Sequence, residues 1–112
     1  MKCAAISDHV SNYPNPISFA SGDSLVLGIR DDEYPGWIRV TTADNNAGWA
    51  PETYIRVESS TAGVALCGYT ARELNVQVGD NLVSNLELLE WLWVTNGCGD
   101  AGWVPKRSVR FL

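Results

Sequence analysis

Basic residues are scarce in this chain: eight lysines and arginines stand against thirteen aspartates and glutamates, for a net charge of −5. Proteins that hold nucleic acid by its phosphates carry a clustered basic surface, so scattered cations argue against that class of partner. Long apolar runs are missing as well. No segment approaches the ~20 apolar residues a bilayer span requires, and the opening MKCAAISDHV lacks a signal-peptide core. A cytoplasmic protein with no membrane partner is expected. Cysteine is limited to Cys3, Cys67 and Cys98, an odd number with neither CxxC nor Cys/His spacing. That pattern predicts free thiols in a reducing compartment and no zinc site. His9 is the one histidine, and no serine, aspartate or cysteine stands at a spacing that would make it a catalytic base. Neither catalysis nor a cofactor is expected.

What the chain does contain is stated twice. Trp37 and Trp49 lie 12 residues apart, and so do Trp91 and Trp103; Pro51 and Pro105 each follow the second tryptophan by two. Val64-Ala65-Leu66 echoes Ala4-Ala5-Ile6, and Val78-Gly79-Asp80 echoes Ser21-Gly22-Asp23. Trp91-Leu92-Trp93-Val94 echoes Trp37-Ile38-Arg39-Val40, and Gly102-Trp103-Val104-Pro105 echoes Gly48-Trp49-Ala50-Pro51. The first copy carries extra residues before Gly-Asp and again between Gly-Asp and tryptophan, where loops absorb length changes. Each copy is about 55 residues, small for an independent core. The repeat predicts a first domain over 1–57, a polar linker ESSTAG over 58–63 and a second domain over 64–112.

Strand signals dominate both copies. Ser24-Leu25-Val26-Leu27 follows a Gly-Asp turn, and Trp37-Ile38-Arg39-Val40 alternates between two faces. Asp44-Asn45-Asn46 and Asn96-Gly97-Cys98-Gly99-Asp100 are turn sequences between strands, and no segment has a helical period. The expected class is all-β, as two tandem small antiparallel β-barrels. Ala5, Leu25, Val40, Ile55, Ala65, Leu82, Val94 and Val109 are the expected core.

The four motifs in this order resemble the SH3 fold, whose domains open ALYDY, continue through GD-x-L and WW-x-A, and close with G-x-x-P-x-x-YV. The first copy matches from Ala5 to Ile55 and the second from Ala65 to Val109. The resemblance implies a non-catalytic protein- or peptide-binding module with a shallow aromatic groove for extended proline-rich segments, which hold a polyproline II shape before they bind. Carried onto this sequence, the first groove comprises Trp37, Pro51 and Tyr54, with His9 and Tyr13 as walls. The second comprises Trp91 and Pro105, with Tyr69. Asp31, Asp32 and Glu33 precede Trp37 and would draw a basic ligand. Ser7, Cys67 and Ser108 stand where the family has tyrosines. The alternative is a structural or self-associating scaffold with vestigial grooves. Trp93 shares a strand face with Trp91, and as an outward aromatic it is expected in a contact between the barrels or between copies of the chain.

Overall fold

The computed structural model describes residues 1–12 and 14–112, and is built of strands with two short 3₁₀ turns. In chain order the strands are β1 (Lys2–Ala5), β2 (Ser18–Phe19), β3 (Ser24–Arg30), β4 (Trp37–Thr41), β5 (Ala47–Pro51), β6 (Ile55–Val57), β7 (Ala62–Ala65), β8 (Tyr69–Thr70), β9 (Asn81–Leu88), β10 (Trp91–Asn96), β11 (Ala101–Pro105) and β12 (Val109–Phe111). Glu52–Tyr54 and Lys106–Ser108 form the 3₁₀ turns. Both follow a proline whose fixed φ sets the entry to the turn. Among the described residues no helix is long and apolar enough to cross a membrane.

The strands assemble in two compact units that do not coincide with the sequence copies. One is contiguous, Asn15–Ala71; the other is split, Met1–Pro14 with Arg72–Leu112. The contiguous unit holds a five-stranded antiparallel sheet in the order β5-β4-β3-β7-β6 and a separate β2-β8 pair. The split unit holds the matching sheet, β11-β10-β9-β1-β12. Each opening strand has therefore left its own copy: β1 pairs with β9 and β12, while β7 pairs with β3 and β6.

The compact units thus cut across the partition into 1–57, a linker and 64–112. ESSTAG does not span two barrels; it closes a hairpin. The Glu58 and Ser59 amides donate to the Ala62 carbonyl at 2.9 and 3.1 Å, and Ser59 Oγ accepts from the Ala62 amide at 3.1 Å. Closing so short a loop costs little chain entropy, so β7 takes the place beside β6.

Alternation fills both cores. All eight expected core residues are buried. In the split unit they join Cys3, Leu74, Val76, Leu92 and Val104 in one cluster. Burial also raises the Cys3 thiol above its ordinary value, which leaves it a poor nucleophile. All three cysteines are free.

The second copy saves residues before Trp91 with a two-residue turn. Leu88 pairs with Trp91, and the intervening Leu89 and Glu90 both have positive φ, 48° and 70°. Such turns suit Asn-Gly, because an L residue with a Cβ is strained in the left-handed region. The first copy has Gly36, at φ 98°, directly before Trp37. Replacing Leu89-Glu90 by Asn-Gly should stabilise the split unit by about 1–2 kcal/mol. A higher urea midpoint for the tryptophans of that unit is the expected reading, and an unchanged or lower one would contradict it.

Candidate functional site

In the contiguous unit Trp37 opens β4 and pairs across the sheet with Pro51 at the end of β5. The 3₁₀ turn then lifts Tyr54 to the same end. Its ring meets Tyr69 edge-on, with centroids 6.0 Å apart, and Tyr69 leans on Phe19 at 5.5 Å. The Tyr69 hydroxyl reaches the Trp49 carbonyl at 3.4 Å. Trp37 and Tyr54 are half-buried, whereas Tyr69 is mostly covered. Pro51 is fully buried. It supports the floor from beneath rather than presenting surface, and Pro105 does the same in the split unit.

The acidic loop before Trp37 divides its labour. Asp31 turns inward: its Oδ1 accepts the Glu33 and Tyr34 amides at 2.9 and 3.0 Å, and its own amide donates to the Trp37 carbonyl at 2.9 Å. Such an Asx turn fixes the loop. Asp32 and Glu33 are exposed beside it, as is Tyr34 at 61%. Arg30 closes the loop base by donating from Nε and Nη2 to Glu52 Oε1, at 2.9 and 2.8 Å. That contact holds the Glu52 carboxyl below the ordinary glutamate range and raises the Arg30 guanidinium. The sign follows from linkage: this stabilisation is present at neutral pH and lost as pH falls through the depressed Glu52 value. Both side chains are substantially solvated, so its size is small.

The split unit carries the second cluster. Trp91 pairs with Pro105. His9 packs edge-on against the Trp91 indole, with centroids 5.8 Å apart and planes at 76°. His9 Nε2 lies 2.7 Å from Glu73 Oε1, and both side chains are mostly covered. The His9 and Val76 backbones exchange two hydrogen bonds of 2.9 Å, which fixes the imidazole. Ser108, at the family's tyrosine position, is buried. Lys106 Nζ binds Glu87 Oε2 at 3.1 Å, and the Lys106 amide donates to the Glu90 carbonyl at 2.9 Å. The Glu52 amide and the Gly36 carbonyl make the corresponding contact at 2.8 Å.

Strand exchange has crossed the expected partners. His9 belongs with Trp91, not Trp37, and Tyr69 belongs with Tyr54, not Trp91. Each lies just beyond an opening strand and travels with it. The contiguous unit gains an aromatic pair that neither copy holds in sequence. Tyr13 lies outside the described residues. Trp93 is half-buried and packs edge-on against its cross-strand partner Trp103, with centroids 5.3 Å apart. In the first copy the same two positions hold Arg39 over the Trp49 ring, 5.6 Å from its centroid. Four participants were not singled out from sequence: Arg30, Tyr34, Glu52 and Glu73. Tyr34 is signalled only by its place in DDEYPGW; Glu52 and Glu73 bear no local mark.

The comparisons with known proteins bear on the fold class, and the family match follows the first sequence copy rather than the contiguous unit. The chain is 27% identical over 78 residues to the protein nervous wreck of Drosophila melanogaster, a stretch that covers 69% of this chain and 7% of that protein. No solved structure gives a significant match. The variant SH3 domain family matches residues 2–58, half of the sequence. With an all-β architecture of two five-stranded sheets, the chain belongs to the variant SH3 domain family.

Proposed function

We propose that the contiguous unit binds an extended, proline-rich segment of a protein partner that also carries lysine or arginine. The observation that carries this reading is the Tyr54–Tyr69 ring pair, assembled from both sequence copies, in the unit where the acidic loop leads into Trp37. Flat aromatic faces suit a polyproline II ligand, which loses little entropy on docking. Asp32 and Glu33 supply the charge that selects a basic residue and speeds encounter. In the split unit, His9, Glu73 and Ser108 replace the aromatic set, so that groove is the weaker one.

Titration of arginine- and lysine-containing proline-rich peptides, followed by tryptophan fluorescence, tests the reading. Trp37→Ala should weaken binding by about 1–3 kcal/mol, as loss of an aromatic anchor does. Trp91→Ala should leave it nearly unchanged. If Trp91→Ala hurts and Trp37→Ala does not, the split unit is the binding one. Affinity should also fall as salt rises, because exposed charges are screened beyond ~10 Å at 0.1 M. A salt-independent affinity removes Asp32 and Glu33 from the ligand site, and no binding at all favours a scaffold role.

A further inference from the structure

The exchange of β1 and β7 needs something to choose between two similar strands, since each could in principle enter either sheet. Their inward residues differ at one position. Leu82 pairs with Cys3 in the split unit, and its repeat equivalent Leu25 pairs with Gly63 in the contiguous unit. Cys3 and Gly63 therefore occupy the same place in the two sheets.

The surroundings differ in the opposite sense. A Cβ on Gly63 would lie 2.7 Å from Ile55 Cγ2, 3.2 Å from the Arg56 carbonyl and 3.2 Å from Leu27 Cδ1. The first contact is at the branched root of a buried side chain and the second is backbone, so neither moves aside cheaply. In the split unit the repeat equivalents of Ile55 and Leu27 are the smaller Val109 and Ser84. There Cys3 is completely buried.

We propose that Cys3 and Gly63 act as a size code that assigns each opening strand to the sheet of the other copy. β1 is disfavoured in the sheet of its own copy because Cys3 would press on Ile55 there. β7 fits that sheet, and in the split unit it would leave the space of the cysteine side chain empty, which costs stability. The code also decides which groove receives Tyr69 and which receives His9. It holds whatever the grooves bind.

A protease site placed in the exposed Ser59–Thr61 turn provides the test. After cleavage the two halves of the natural sequence should stay together on native size exclusion, separating only in denaturant, because each unit contains strands from both halves. Native release of the halves would overturn the proposal. The double variant Cys3→Gly with Gly63→Cys reverses the code, and after cleavage its halves should separate without denaturant. Halves that remain wholly together would show that these residues do not choose the connectivity. If the double variant does not fold, Cys3→Gly alone serves, because its β1 fits either sheet. A mixture of retained and released halves is then expected, and complete retention would again overturn the assignment.

Discussion

Removal of residues 1–6 should unfold the split unit and leave the contiguous unit folded. β1 lies inside its sheet, between β9 and β12, and bonds to both neighbours. Its loss opens two sheet edges and takes Cys3 and Ala5 from the core cluster. A unit of about 55 residues has only a few kcal/mol to spare and does not survive losing an interior strand. The contiguous unit owns every strand of its sheet, including β7, and gives up nothing. The five tryptophans report the outcome separately, since Trp37 and Trp49 lie in the contiguous unit and Trp91, Trp93 and Trp103 in the split one. In a nitrogen–proton correlation spectrum, the first pair of indole signals should stay at its native positions and the other three should collapse to the unfolded position. A fragment of residues 15–71 should reproduce the surviving pair. If the first pair collapsed with the others, or the fragment proved unfolded, the exchanged connectivity would be wrong.

That connectivity is the part of the fold that pattern reading does not reach. Strand identity was legible because burial imposes a period of two: Leu25, Leu27, Ile38 and Val40 point inward and Val26 and Arg39 do not. The fold class was legible because the Gly-Asp turn and the Trp-x-x-Val and Gly-x-x-Pro motifs recur in order. Neither signal says which sheet an opening strand enters, since Ala-Ala-Ile and Val-Ala-Leu fit the same generic slot. The deciding information sits in a hairpin that reads as a linker, and in one methylene and one sulfur at Cys3. Pairing each aromatic residue with its own copy therefore crossed the two grooves. The prolines pose a different problem. Their sequence position marks the floor of the groove but not how much of the ring is covered, and the chain buries both.

Glycine 102 should be far less replaceable than its repeat partner Gly48, although both precede a tryptophan in the same motif. A Cβ at Gly102 would meet the Leu74 nitrogen at 2.7 Å and the Glu73 carbonyl carbon at 2.9 Å. Both are backbone atoms. The segment is also tied to β11: the Trp103 amide donates to the Arg72 carbonyl at 2.9 Å, and the Leu74 amide donates to the Trp103 carbonyl at 3.0 Å. A methyl group there must lift residues 72–74 from the strand, at the upper end of the ~1–3 kcal/mol typical of overpacking. At Gly48 the three atoms nearest a Cβ all belong to the buried side chain of Ile17, at 3.0 to 3.3 Å. Ile17 need give by only a few tenths of an ångström, with no hydrogen-bonded segment to lift, so Gly48→Ala should fall at the lower end of the same range, about 1 kcal/mol. The larger change also reaches the second groove, because Glu73 holds His9 against Trp91. Gly102→Ala should lower the urea midpoint of the split unit and shift the Trp91 indole and His9 imidazole resonances, and Gly48→Ala should move neither resonance. Equal losses in the two variants would mean that segment 72–74 yields as readily as a side chain, and that His9 does not depend on its anchorage.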